Sequence, residues 1–340
     1  MKYEFEKYEE NGYINYESTM QLPADFFFLI GSRGTGKTFG GIKYPLVHNM
    51  QFVFMRRSAV EMDMLKKPDF MPFNPINDVL GRNIRVEPEG RYITNVLENN
   101  VKRGYMIALS NIAKLRGFNL SSIEYILYDE FIHEPHEKAM RNEAEAFFNA
   151  YETINRNREL EGAQPVKAVL CANSNNLQND FFMYLNIADK FEKARKKGKN
   201  FFIEPERRLC VIDYSDSLIS ERKKETSLYK LTKGTNFRKM AIDNEFTDAR
   251  VDKIKSMDIS GYVLETKIGE LFIYKHKSNK TYYVTRFEKG KAKENVDPRK
   301  EGRRYLLSNY MHYYNAFVNN RMLFENQLCL YLFENYYTGK

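Results

Sequence analysis

Two short stretches of this sequence could do phosphate chemistry together. Residues 31–38 read GSRGTGKT directly behind the apolar run DFFFLI, and they match G-x-x-x-x-G-K-[ST]. Gly31, Gly34 and Gly36 let the backbone turn tightly and aim its N–H groups at phosphate oxygens. Ser32, Arg33 and Thr35 belong to the same cradle. Lys37 is placed to reach the β- and γ-phosphates and Thr38 to ligate Mg²⁺. A helix opening near Lys37 adds its positive N-terminal end.

The second stretch is IEYILYDE, an apolar strand ending in Asp129 and followed by Glu130. Strand ends of a parallel sheet open onto one crevice, so Asp129 can meet the phosphate loop and hold Mg²⁺ through water. Glu130 is then placed to polarise an attacking water as a general base. A water-activating glutamate would be counterproductive in a nucleoside kinase. Small GTPases carry an N-K-x-D motif, where this chain offers NSNN at 173–176. The Asp-Glu pair therefore points to ATP hydrolysis coupled to mechanical work, with ATP and Mg²⁺ as the ligands. Asn173 closes the next apolar strand, VKAVLCAN, and suits a sensor of the γ-phosphate or the lytic water.

Such motors are usually completed by an arginine from a neighbouring subunit, which supplies roughly 10³–10⁵ in rate. NRNRE at 155–159 offers Arg156 and Arg158, two positions apart and so pointing in different directions. Arg56 and Arg57 follow the strand QFVFM and also end at the ligand edge, where they could sense nucleotide or act in trans. The loop SNIAKLRGFNL carries Lys114, Arg116 and a flexible Gly117, suited to gripping a phosphate backbone without reading bases. His133 and His136 are a poor zinc pair, with Pro135 between them and no further ligands close by.

Positioning these groups requires an α/β fold of the P-loop NTPase class, in its additional-strand, catalytic-glutamate branch. Near-continuous apolar strands at 25–31, 51–56, 105–110, 123–129 and 166–173 indicate a parallel sheet covered on both faces. Helical stretches at 37–48 and 137–158 alternate with them. Prolines 68, 72, 75 and 88 with Gly81 punctuate an insertion that includes a hairpin around RNIRVEPEGRYITNV. The expected organisation is an ATPase domain over 1–198, a small connecting module over 199–248, and an α+β domain over 249–340. That last domain shows alternating strands GYVLETKI, ELFIYKHK and TYYVTRFE before closing helices through Leu306, Tyr310, Tyr314 and Phe317.

A chain of 340 residues with 43% hydrophobic content suits two or three domains with real cores. Cys171, Cys210 and Cys329 form no C-x-x-C pair, which argues for a reducing compartment and against a disulfide frame or zinc site. The N-terminal MKYEFEKYEE is too acidic for a signal peptide, and no apolar stretch approaches the ~18 residues needed to span a bilayer. The expectation is a soluble, cytosolic protein with no membrane partner. Net charge is +8. Residues 191–240 hold 14 Lys/Arg against 7 Asp/Glu, residues 275–304 hold 11 against 4, and residues 119–162 hold 4 against 10. Two basic stretches beside an acidic one suggest a polyanionic partner, nucleic acid first.

Taken together, FFFLIGSRGTGKTFG, FVFMRR, YILYDEFI, INRNREL, VLCANS and SERKKETSLYKLTKGTNFRKMAIDNEF occur in the order found in the DNA-packaging ATPases of phi-29-type short-tailed bacteriophages, which the chain resembles over most of its length. The resemblance implies an ATP-driven motor that assembles as a homomeric ring, a pentamer, on the portal of an empty capsid and threads double-stranded DNA inward. It places the protein in the cytoplasm of an infected cell and, transiently, on the procapsid vertex. A packaging RNA between motor and portal is a further candidate partner. By the same resemblance Lys37, Thr38, Asp129 and Glu130 run the hydrolysis, Arg156 acts on a neighbour's nucleotide, and Lys114 lies in the pore loop. Where the family has a lysine shortly after the double arginine, this chain has Ser58 and Ala59, so any trans role of that lysine falls to Arg56 or Arg57 or is absent. Residues 249–340 show no carboxylate triad at strand ends, so the tail is expected to dock or contact DNA without cutting it. A cellular ring translocase or helicase could use the same site, and so could a nucleotide-gated binding protein with slow hydrolysis.

Overall fold

The computed structural model describes residues 3–115, 117–133, 140–173, 176–235 and 251–338. Arg116, His136 and residues 236–248 of the expected connecting module lie outside them. The chain divides into two compact units, Met1–Asn176 with Lys193–Phe246, and Leu177–Glu192 with Thr247–Lys340.

The first unit is built on one nine-stranded sheet. Its strands are β1 (Phe26–Ile30), β2 (Phe52–Arg56), β3 (Ile84–Pro88), β4 (Ile93–Glu98), β5 (Val101–Ala108), β6 (Tyr125–Asp129), β7 (Lys167–Ala172), β8 (Phe201–Glu204) and β9 (Leu209–Asp213). They lie in the order β3-β4-β5-β2-β6-β7-β1-β9-β8. The centre, β5-β2-β6-β7-β1-β9, is parallel throughout, and the outer pairs β3/β4, β4/β5 and β8/β9 are antiparallel. β7 stands between the phosphate-loop strand β1 and β6, which carries Asp129, as the additional-strand branch requires.

The central strands are apolar without alternation because both their faces are covered. Phe27, Leu29 and Leu127 join the buried cluster of the helix Lys37–Val47, which contributes Ile42 and Leu46. The opposite parity faces the other way: Phe26 packs on Phe148 and Tyr151, and Tyr128 stacks on Phe147, all from the helix Glu143–Asn155. The hairpin in the proline-punctuated insertion is β3/β4.

One placement departs from the sequence reading. Residues 201–213, read there as part of a connecting module, form β8 and β9 at the edge of the main sheet. β9 runs parallel to β1 with Phe26 opposite Leu209, and its sequence LCVID is buried along its whole length. A charged run, residues 191–200, stands immediately before β8.

The second unit carries a five-stranded sheet, β13-β10-β11-β12-β14, from β10 (Tyr262–Ile268), β11 (Leu271–His276), β12 (Tyr282–Thr285), β13 (Glu294–Val296) and β14 (Met322–Phe324). The meander β10-β11-β12 is antiparallel, and β13 and β14 add in parallel at its two sides. Helices Pro298–Asn309, Met311–Val318 and Gln327–Thr338 cover it through Leu306, Tyr313, Phe317 and Phe333.

Candidate nucleotide site

Because β1, β7, β6 and β2 run in parallel and in register, their C-terminal ends finish together. Ile30 pairs with Ala172, Asp129 with Cys171, and Met55 with Tyr128. The residues just beyond these pairs are Gly31, Asn173, Glu130 and Arg56–Arg57, so strand order alone gathers the site.

The loop that follows β1 holds Gly31, Gly34 and Gly36 at φ of 137°, 77° and 92°, a region that favours glycine. Gly36 then caps the helix Lys37–Val47. The Lys37 side chain is 4% exposed. Its Nζ donates to the carbonyls of Gly31 at 3.0 Å and Ser32 at 2.7 Å, and to Thr35 Oγ1 at 3.3 Å. Burial pulls its pKa down from 10.5 to about 8, against the opposing pull of Asp129. Thr38 Oγ1 donates to Asp129 Oδ1 at 3.0 Å.

Arg56 organises the two carboxylates. Its Nη2 donates to Asp129 Oδ2 at 2.9 Å and its Nη1 to Glu130 Oε2 at 2.5 Å. Burial opposes the charge of this guanidinium, but Asp129 and Glu130 outweigh it and raise its pKa. Glu130 sits at φ 60°, a left-handed conformation that costs about 1 kcal/mol for a non-glycine residue. This bend turns the carboxylate off the strand axis, and Asn173 Nδ2 donates to its Oε1 at 3.4 Å. Asn173, Glu130, Arg56, Asp129 and Thr38 thus form one connected chain of polar contacts beside the loop.

Arg57 points the other way, into the interior. Its Nε donates to Glu143 Oε2 at 2.8 Å and its Nη2 to the Glu130 carbonyl at 2.8 Å. The Tyr128 hydroxyl also donates to Glu143. Arg57 is 4% exposed, so its contacts hold the Glu130 backbone. Ser58 and Ala59 begin a helix, Ala59–Leu65. Ser58 Oγ accepts from Glu61 N at 3.2 Å, and Glu61 Oε2 accepts from Ser58 N at 2.7 Å. Here the S-x-x-E pattern, a helix-start signal, was readable in the sequence.

Arg156 and Arg158 lie away from this chain's own loop. Arg156 Nη2 donates to the Phe118 carbonyl at 3.3 Å and Arg158 Nη2 to the Ser121 carbonyl at 2.6 Å. Those residues precede β6, at the N-terminal edge of the sheet, opposite the phosphate loop. Lys114 is exposed on a 3₁₀ segment, Leu109–Leu115. Its Nζ donates to Asn111 Oδ1 at 3.3 Å and stands 4.6 Å from the Tyr92 ring centroid. Gly117 beyond it has φ 94° and open space around it.

Glu143 and Tyr128, which hold Arg57, were not singled out from the sequence. No spacing rule links them, because their meeting depends on the helix after β6 folding back over that strand.

The family described as Podovirus DNA encapsidation protein (Gp16) matches residues 9–332. The DNA packaging protein of Bacillus phage B103 is 26% identical over 321 residues, covering 88% of this chain and 92% of its own. That of Bacillus phage phi29 is 24% identical over 331 residues, with 88% and 90% covered. Among solved structures, the Phi-28 gp11 DNA packaging motor superposes with a TM-score of 0.65 at 20% identity, covering 96% of this chain and 98% of its own. The bacteriophage Phi-29 viral genome packaging motor assembly gives 0.66 at 18% identity, with 96% and 99% covered. These two likenesses show a shared fold along nearly the whole chain.

Proposed function

The chain belongs to the podovirus DNA encapsidation protein family and is a viral DNA-packaging protein, and we propose that it drives packaging by hydrolysing ATP as a homomeric ring translocase of double-stranded DNA. The observation that carries this reading is the connected set Thr38–Asp129–Arg56–Glu130–Asn173 at the mouth of a glycine loop closed by Lys37.

The loop amides and Lys37 bind the triphosphate. Thr38 and Asp129 would hold Mg²⁺: their oxygens already stand 3.0 Å apart, and an all-oxygen pair suits this hard cation. When bound, Mg²⁺ neutralises charge that develops on the phosphates. Glu130 accepts a proton from the attacking water, Asn173 and Arg56 fix the direction of its carboxylate, and Arg57 fixes the backbone behind it. With Arg156 at the opposite sheet edge, its nucleotide contact belongs to a neighbouring subunit. That supports a ring, for which we adopt five subunits.

Lys114, on its exposed 3₁₀ segment, grips the DNA backbone together with Arg116. Residues 249–340 serve docking or DNA contact without nuclease chemistry, and the ring sits on the portal of the procapsid in the infected cell. No helix among the described residues is long and apolar enough to cross a membrane. ATPase turnover measured with and without double-stranded DNA and empty capsids tests the reading. Turnover should rise with DNA and rise further with capsids, and a rate indifferent to both would refute it.

A further inference from the structure

Two segments, one shortly before the phosphate loop in sequence and one following β9, cover it in space. Tyr214 N donates to the Ile30 carbonyl at 2.8 Å, and Ile14 N donates to the Thr35 carbonyl at 3.1 Å. The three loop glycines leave room for these neighbours. A Cβ on Gly31 would stand 2.8 Å from the Tyr214 carbonyl carbon, one on Gly36 would stand 3.1 Å from the Tyr13 ring, and one on Gly34 would strike the Lys223 ammonium.

Lys223 belongs to the short helix Leu218–Lys224, whose cap Ser217 accepts from Ser220 N at 3.1 Å. Asp216, just before that cap, bonds Lys7, Tyr8 and Asn200, so the helix start is anchored. From there the Lys223 Nζ donates to the Arg33 carbonyl in the loop. Burial first, and then the Arg33 charge, lower the Lys223 pKa. Among the described residues no carboxylate pairs with Lys223. An ammonium has three donors, and one carbonyl leaves its charge uncompensated. Two ammonium groups therefore donate to neighbouring carbonyls of one glycine loop, Lys37 to Gly31 and Ser32 and Lys223 to Arg33, an arrangement that an incoming polyanion would relieve.

We propose that Lys223 is a second nucleotide-contacting lysine, which exchanges the Arg33 carbonyl for a phosphate oxygen when ATP binds and so ties the helix Leu218–Lys224 to the state of the loop. This rests on the phosphate loop binding ATP. Helix 218–224 follows β9 in the chain, so nucleotide arrival would be felt directly by the residues that lead out of the sheet.

Calorimetric titration of MgATP into wild type, Lys223→Gln, Lys223→Arg and Lys37→Ala, at several salt concentrations, tests it. Lys223→Gln keeps a donor for the Arg33 carbonyl but loses the charge. It should bind MgATP about tenfold more weakly with a shallower salt dependence, and Lys223→Arg should recover most of the loss. If Lys223→Gln binds like wild type while Lys37→Ala binds poorly, Lys223 is only a brace and the inference fails, with the nucleotide site intact. If wild type takes up no MgATP, both fall together.

Discussion

The Thr38 hydroxyl donates to Asp129 Oδ1 across 3.0 Å, although 91 positions separate the two in the chain. The contact exists because β1 and β6 end at the same sheet edge with only β7 between them. The other Asp129 oxygen is taken by Arg56, so the carboxylate is held from both sides in a site where it is 3% exposed. An anion so placed is suited to meeting a metal on one face.

Asp129→Asn keeps the shape and the Thr38 contact but removes the charge that a divalent cation requires. Turnover should fall about a hundredfold or more at any Mg²⁺ concentration, and the melting temperature should fall as well, because Arg56 keeps only Glu130 as a charged partner. Recovery of the full rate at high Mg²⁺ would argue against a metal role for Asp129.

Arg56 forks across two acidic neighbours, and its removal leaves Asp129 and Glu130 facing each other without a shared cation. Arg56→Ala should destabilise the fold by about 3 kcal/mol, the bottom of the range for broken buried pairs because Glu130 is partly exposed. Arg56→Lys should recover little, since a lysine cannot make both contacts in one plane. Thermal denaturation of the three proteins measures this.

Lys37 carries the pH dependence. Its pKa in the folded chain is about 8 against 10.5 ordinarily, so between these values the unfolded chain holds the proton more tightly than the folded one. Stability from this group should therefore rise as pH goes from about 8 to 10.5, and below pH 8 the cost of burying the ammonium stands in full. Lys37→Met should flatten that rise in a series of melts. Phosphate binding needs the charged form, so ATP binding above pH 8 should take up a proton, visible as a buffer-dependent heat in calorimetry.

Arg156 predicts behaviour that a single chain cannot show. Subunits carrying Arg156→Ala, mixed into wild type, should depress the turnover of the mixture by more than their share, because each spoils a neighbour's site. Arg158→Ala, whose side chain is tied to the Ser121 and Gln164 carbonyls, should act mainly on stability. A rate that falls in strict proportion to the mutant fraction would remove Arg156 from the trans role.

The legible part of this site is the part written in short runs. GSRGTGKT and ILYDE announce a loop and a strand end, and apolar runs without alternation locate the central sheet. What stayed illegible depends on which strands are neighbours. Arg56 reads in the sequence as a residue that senses nucleotide or acts in trans, and only the β2–β6 pairing reveals that it bonds this chain's own carboxylates. Arg57 looked equivalent to it, but alternation along the strand sends the two to different surroundings. β9 was hidden because its apolar LCVID follows a charged run that resembles a linker. The departure at Ser58 was visible as a missing lysine, and its local meaning, a helix cap, lay in the same six residues.

The most direct measurement is ATP binding and turnover by Glu130→Gln beside wild type, both folded and assembled, with double-stranded DNA present. Binding of MgATP should be close to wild type while turnover drops about a thousandfold, since the amide cannot take a proton from the attacking water. A Glu130→Gln protein that hydrolyses ATP at the wild-type rate would contradict the account.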